Sequence, residues 1–124
     1  MVLFLSADDI KGIAQRVIEP GVAIRDAGLL EAAAARPQAT VGGAPAYGDL
    51  PTMAAALTHS LVCGHALVDG NKRLGLACLI VFLGMNGSRL SMTNDAAYEL
   101  IHAIASGTLR DIAEIAAAIT DGTA

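Results

Sequence analysis

Between His65 and Arg73 the chain reads HALVDGNKR, which gathers most of its polar chemistry into one short stretch of a sequence rich in Ala, Leu, Ile, Val and Gly. Lys and Arg number only eight in all, yet Lys72 and Arg73 are adjacent and follow Gly70-Asn71 directly. A lone Lys-Arg pair reads as solvated surface charge. Placed at a turn into a helix, it reads instead as part of an anion site, because a helix N-terminus offers unpaired N–H groups and the positive end of the helix dipole. Gly70 would let the backbone come close to such an anion. Asp69 has two readings: a magnesium ligand, since Mg²⁺ takes one or two carboxylates together with phosphate oxygens, or an N-cap. His65 has two as well: a general base beside the anion, or a partner for the negative end of a helix.

The elements that must carry these residues follow from capping and periodicity. Ser6 to Asp9 matches a capping box and opens a helix over about 7–18, ended by Glu19-Pro20-Gly21. Asp26 caps a second helix over 27–35, stopped at Arg36-Pro37 because the residue before proline resists the helical conformation. The Gly- and Pro-rich stretch from Pro37 to Asp49 predicts an exposed loop or short hairpin, and loops of that length often act as lids or docking segments.

Asp49, with Pro51 in the first turn, caps a third helix whose apolar stripe is Leu50, Met53, Ala54, Leu57 and Leu61. Gly64 ends it, which puts His65 at its C-terminus. A fourth helix starts near Asn71, is apolar nearly all round like a central core helix, and closes at Asn86-Gly87. Thr93 or Asn94 caps a fifth helix to about residue 106, and a second capping box, Thr108 to Asp111, opens a sixth through about 119. The expected fold is all-α: one compact domain over residues 1–124 with about six helices.

Composition narrows the function. Hydrophobic residues make up 54% and aromatic residues 3%, so the core must be built from closely approaching aliphatic side chains. A net charge of -4 and a pI near 5.1 argue against a broad basic surface for nucleic acid. The apolar run from Leu74 to Met85 is shorter than the ~20 residues a membrane span needs. The start MVLFLSADD lacks a basic region and a small-residue cleavage site, so the expected location is the cytoplasm. Cys63 and Cys78 read as buried free thiols. The three histidines and two cysteines show no paired ligand spacing, which disfavours zinc. His59 and His102 read as structural, and no Walker loop is present, so a phosphate site here needs another design.

His65-Ala66-Leu67-Val68-Asp69-Gly70-Asn71-Lys72-Arg73 resembles the Fic/Doc signature and, in its Asn-Lys-Arg form, the Doc or death-on-curing branch. RDAGLLEAAAARPQAT, YGDLPTMAAALTHSLV and LIVFLGMNG are also similar to Doc-type chains in order and spacing, so the resemblance covers most of the sequence. It implies a compact helical Fic fold in which the motif joins two central helices and holds nucleotide phosphates. It further implies a toxin of a toxin-antitoxin system that moves the ATP γ-phosphate to a threonine of elongation factor Tu and halts translation.

Carried over by that resemblance, His65 deprotonates the target hydroxyl and Asp69 binds Mg²⁺ or orients the target. Gly70, Asn71, Lys72 and Arg73 hold phosphates, with Lys72 and Arg73 counted among the catalytic set. The segment from Thr40 to Gly48 falls where Fic-fold proteins place a flap that aligns the target chain. An antitoxin whose disordered tail folds as a helix on the toxin is the implied partner. Leu67 stands where the motif has phenylalanine and keeps an apolar anchor without the ring. Ala66 replaces a proline common in the adenylylating branch. Lys72 stands where that branch has a second glycine, which favours phosphotransfer over AMP transfer. The other readings are an adenylyltransferase and a catalytically inactive domain that binds an antitoxin or a nucleotide.

Overall fold

The computed structural model describes all 124 residues, and its elements run α1 (Ala7–Val17), α2 (Ala27–Ala35), a 3₁₀ turn (Arg36–Gln38), β1 (Thr40–Val41), β2 (Ala44–Pro45), α3 (Leu50–Gly64), α4 (Asn71–Met85), α5 (Asn94–Ala105) and α6 (Ile112–Asp121). The fold is all-α apart from β1 and β2, which pair antiparallel as a minimal hairpin with Thr40 opposite Pro45. No helix is long and apolar enough to cross a membrane.

The helix starts follow from their caps. At α1 the box is complete: the Ser6 hydroxyl accepts from the Asp9 amide at 3.0 Å and the Asp9 carboxylate accepts from the Ser6 amide at 2.9 Å. Asp26 caps α2 by accepting from the Gly28 amide, and Thr93, rather than Asn94, caps α5 by accepting from the Ala96 amide. The second capping box does not form. Asp111 is itself the N-cap of α6, accepting from the Ala113 amide at 3.2 Å, and the Thr108 hydroxyl pairs with that of Ser106 instead. A residue three positions into an expected helix has become its boundary, because a short aspartate competes well for its own downstream amide.

The helix at the centre is α3. Met53 to Thr58, Leu61 and Val62 are all buried, and α3 packs against α2, α4, α5 and α6. Its run of Ala54, Ala55 and Ala56, fully covered, keeps the neighbouring backbones close, as a core nearly devoid of aromatic rings requires. Phe82, Leu74 and Leu79 of α4, Ile104 of α5, and Ile115 and Ile119 of α6 complete the core around it.

By contrast, α4 is not buried all round. Its outer face carries Ile80 and Val81, 49% and 40% exposed, and the exposed Gly84. The apolar composition of α4 therefore serves two surfaces, one packed on α3 and one open.

The contact between α3 and α4 rests on Gly75. A Cβ built there would overlap the Val62 Cγ2 methyl, and both residues are buried. Gly75→Ala is expected to lower stability by about 1–3 kcal/mol through overpacking, outweighing the ~1 kcal/mol that alanine gains in helix propensity. Gly84→Ala, where a Cβ meets nothing within 4 Å, is expected to raise stability slightly. Thermal melts of the two variants should move in opposite directions; a shared direction would contradict this packing.

Asp49 sets where α3 begins, accepting from the Thr52 amide at 2.9 Å. Hydrogen bonds from Thr52 hold its carboxyl below the ordinary carboxylate range. A carboxyl depressed in the folded state contributes stability that is complete above the unfolded pKa and is lost as pH falls through the folded one. Asp49→Asn keeps a capping oxygen without a titrating charge. It should leave neutral-pH stability nearly unchanged and shed less stability than wild type as pH falls below the ordinary aspartate pKa of about 3.9. Identical acid profiles for the two proteins would refute that role.

Candidate active site

Gly64 closes α3 and the chain turns at His65, whose φ of 55° and ψ of 46° lie in the left-handed region. It is the only non-glycine residue in the protein with positive φ. Left-handed backbone costs an L-residue roughly 1–2 kcal/mol, and glycine normally fills such a position. Strain of this kind persists only where the surrounding structure over-determines it, and it clusters at functional sites. His65 is exposed at the helix end, with its side chain available to a ligand.

From His65 the chain is clamped on both sides. Leu67 forms an antiparallel bridge with Ile24, the Val68 amide donates to the Ala23 carbonyl at 3.1 Å, and the Ala66 carbonyl accepts from the amides of Arg25 and Asp26. Opposite, the Asn71 side-chain oxygen accepts from the Leu67 amide and its NH₂ donates to the Leu67 carbonyl, both at 3.0 Å. Both ends of the Asn71 amide are thus committed to the loop. What Asn71 can still offer an anion is its backbone N–H and the second N–H of its NH₂ group. The Leu67 side chain, 1% exposed, anchors the same turn in the core.

The N-cap of α4 is Gly70, at φ 95°, and it provides no side-chain cap. The reading of Asp69 as an N-cap is therefore not realised, and its carboxylate stands exposed one residue outside the helix. Leu74 is the first residue of α4 to donate to the preceding turn, at 2.9 Å to the Gly70 carbonyl. The amides of Asn71, Lys72 and Arg73 are left without an intrahelical partner, as at any helix start, and here no side chain replaces one. Lys72 and Arg73 are exposed in this first turn, where positive charge is unfavourable toward the dipole by a few tenths of a kcal/mol. A bound anion turns that penalty into attraction.

These groups share one cleft of about 720 Å³, lined by His65, Asp69, Gly70, Asn71, Lys72 and Arg73 on one side and by α5 on the other. The α5 wall presents Tyr98, Ile101, His102 and Ala105, spaced as one helix face. Tyr98 and His102 stack with ring centroids 5.8 Å apart and planes inclined by 12°. His102, remote in sequence, thus reaches the site, and the Tyr98-His102 spacing of four residues on a helix was the available signal for it. A Cβ at Gly70 would come within 2.6 Å of Ile18 Cδ1, which a rotation of that side chain relieves, so it is the φ of 95° that favours glycine at this position.

The remaining nucleophiles and bases lie elsewhere. His59 Nδ1 is 3.0 Å from the Arg36 guanidinium, which also donates to the Ser60 hydroxyl at 3.0 Å and the Tyr47 hydroxyl at 3.1 Å. Burial and that guanidinium hold the His59 pKa down. Burial pushes the Cys63 thiol up and the Cys78 thiol up to about 12, which leaves both protonated and unreactive. No three His, Cys, Asp or Glu side chains converge as a cluster. A single carboxylate beside an anion site suits an ion held largely by phosphate oxygens and water, as Mg²⁺ is, and Asp69 is placed to supply it.

Fold and site together define a small helical domain whose cleft holds an uncapped helix N-terminus with two cations in its first turn, and a histidine on the strained turn before it. The Fic/DOC family matches residues 4–83, from the segment before α1 to Leu83 of α4. Toxin Doc of Mycolicibacterium smegmatis is 43% identical over 108 residues, covering 86% of this chain and 83% of that protein. The chain belongs to the Fic/DOC family, on its Doc-type toxin branch.

Proposed function

We propose that this protein is the toxin of a toxin-antitoxin pair and acts as a phosphotransferase, moving the ATP γ-phosphate to a threonine hydroxyl of elongation factor Tu. The observation that carries this reading is the start of α4, where free amides, Lys72 and Arg73 face the same cleft as His65. Phosphoryl transfer asks little covalent chemistry of the protein beyond positioning and charge stabilisation.

In this reading His65 accepts the proton of the target hydroxyl as its oxygen attacks the γ-phosphorus. The bond from that phosphorus to the β-bridging oxygen breaks, and ADP leaves with the electron pair. The amides of residues 71–73 with Lys72 and Arg73 hold the phosphate oxygens, so the charge that builds there meets fixed donors. Mg²⁺, when bound with ATP, supplies further neutralisation of that charge, and Asp69 is the residue that would hold it. The exposed β1–β2 hairpin offers unpaired strand edges to which an extended target segment can align. Lys72, where the adenylylating branch has glycine, favours transfer of the terminal phosphate over AMP.

The partner is a cognate antitoxin whose disordered segment folds as a helix on the toxin, and the open apolar face of α4, with Ile80 and Val81, suits such a helix. ATP and a translation factor place the action in the cytoplasm. Incubation of purified elongation factor Tu with the protein, ATP and Mg²⁺, followed by mass spectrometry, tests the reaction. Addition of one phosphate on a threonine supports it, and addition of AMP would replace it with nucleotidyl transfer. An unmodified factor, alongside undiminished growth of cells expressing the protein, would overturn it.

A further inference from the structure

We propose that Arg25 is the positioning residue for His65, holding the imidazole at the mouth of the anion site by fixing its backbone. The proposal rests on His65 being the base. Arg25 Nε donates to the His65 carbonyl at 2.7 Å and Nη2 donates to the Gly64 carbonyl at 3.4 Å. Its own amide donates to the Ala66 carbonyl at 2.8 Å. One residue, forty positions upstream of His65, therefore binds three consecutive carbonyls across the end of α3.

Each of those bonds answers a physical need. The last carbonyls of a helix have no intrahelical donors, and the carbonyl end carries the negative pole of the dipole, where a guanidinium is favourable. The left-handed conformation of His65 is disfavoured in itself, so something outside the turn must over-determine it. The short charge-assisted bond to the His65 carbonyl does this at the strained residue. The planar fork of arginine reaches two carbonyls from one side chain, which a lysine ammonium on its flexible stem does less well.

Arg25 does not line the cleft, so it acts on the reaction through the turn that carries His65. Without its guanidinium, the Gly64 and His65 carbonyls lose their donors while the Arg25 and Asp26 amides still hold Ala66, so the turn at 64–65 is free to relax toward an ordinary helix end, which swings the imidazole away from the start of α4. Nucleotide binding, which depends on the start of α4, is untouched. Misplacement of a reacting group by about 1 Å is enough to cost about 100-fold in rate.

The test pairs kinetics with hydrogen exchange on the full chain. Arg25→Ala is expected to lower kcat for phosphate transfer by about 10- to 100-fold while KM for ATP stays within about twofold. Exchange at the Val68 amide should rise about tenfold at an unchanged global melting temperature. Added guanidinium ion should restore part of kcat to Arg25→Ala, and Arg25→Lys should fall between the two. If Arg25→Ala does not fold, Arg25→Lys must show the same split between kcat and KM. Unchanged kcat and exchange, or a raised KM with kcat intact, would overturn the proposal. If the wild-type protein transfers no phosphate, the proposed function falls, and the exchange measurement still decides whether Arg25 fixes the turn.

Discussion

His65→Ala is expected to reduce phosphate transfer by about 10²- to 10⁴-fold, the range that a positioned general base contributes. Nucleotide affinity should stay within about twofold, because the groups proposed to hold phosphate belong to the start of α4 and not to the imidazole. The backbone responds as well: alanine tolerates the left-handed conformation no better than histidine, so His65→Ala keeps the strain and removes only the ring. His65→Gly relieves the strain as well, and should be the more stable of the two by about 1 kcal/mol while equally inactive. Equal melting temperatures would count against strain at this residue, and wild-type transfer by either variant would remove His65 from the mechanism. In cells, either variant should lose growth inhibition and still bind the antitoxin.

Replacing Lys72 and Arg73 together by alanine gives the second large effect, with opposite signs for binding and folding. In the proposed reaction each cation would form charge-assisted bonds worth about 1.5–3 kcal/mol to a phosphate, about 10- to 100-fold in affinity. The pair should weaken ATP binding by at least about 100-fold, with less than full additivity because the two sites are adjacent. Stability should not fall. Both side chains are exposed in the first turn of α4, where they oppose the dipole, so their removal should raise stability by a few tenths of a kcal/mol. Calorimetric titration with ATP beside thermal melts separates the two effects. A variant that loses stability along with binding would mean that these cations serve the fold.

Much of this was legible in the sequence because it rests on local chemistry. Ser6, Asp26, Asp49 and Thr93 each announced a helix start through a short side chain that accepts from an amide two or three residues on, and each does so. Asp111 shows where that reasoning fails: a capping box and a simple cap share the same residue types, and only the path of the chain from α5 decides between them. The placement of His65 at a helix end and Asn71 at a helix start also followed from local signals.

The contacts that hold the site together were not legible, because they join positions far apart. Arg25 meets His65 across forty residues, and His102 reaches the cleft only through the packing of α5 beside α4. Asn71 is the intermediate case. Its identity in the motif was visible, but the use of both ends of its amide to clip Leu67, four residues earlier, needed coordinates. Likewise, the apolar run of α4 implies burial on all sides, whereas part of it forms an open face, a distinction that composition alone does not make.

In the proposed reaction the start of α4 holds ATP while its terminal phosphate passes to a protein hydroxyl with His65 as base. Label transfer to purified elongation factor Tu tests it most directly, using ATP labelled at the γ-phosphate in one arm and at the α-phosphate in the other, with His65→Ala as control. Label from the γ-position alone, lost in the His65→Ala arm, is the expected result. Label from the α-position, or γ-label undiminished without His65, would contradict it.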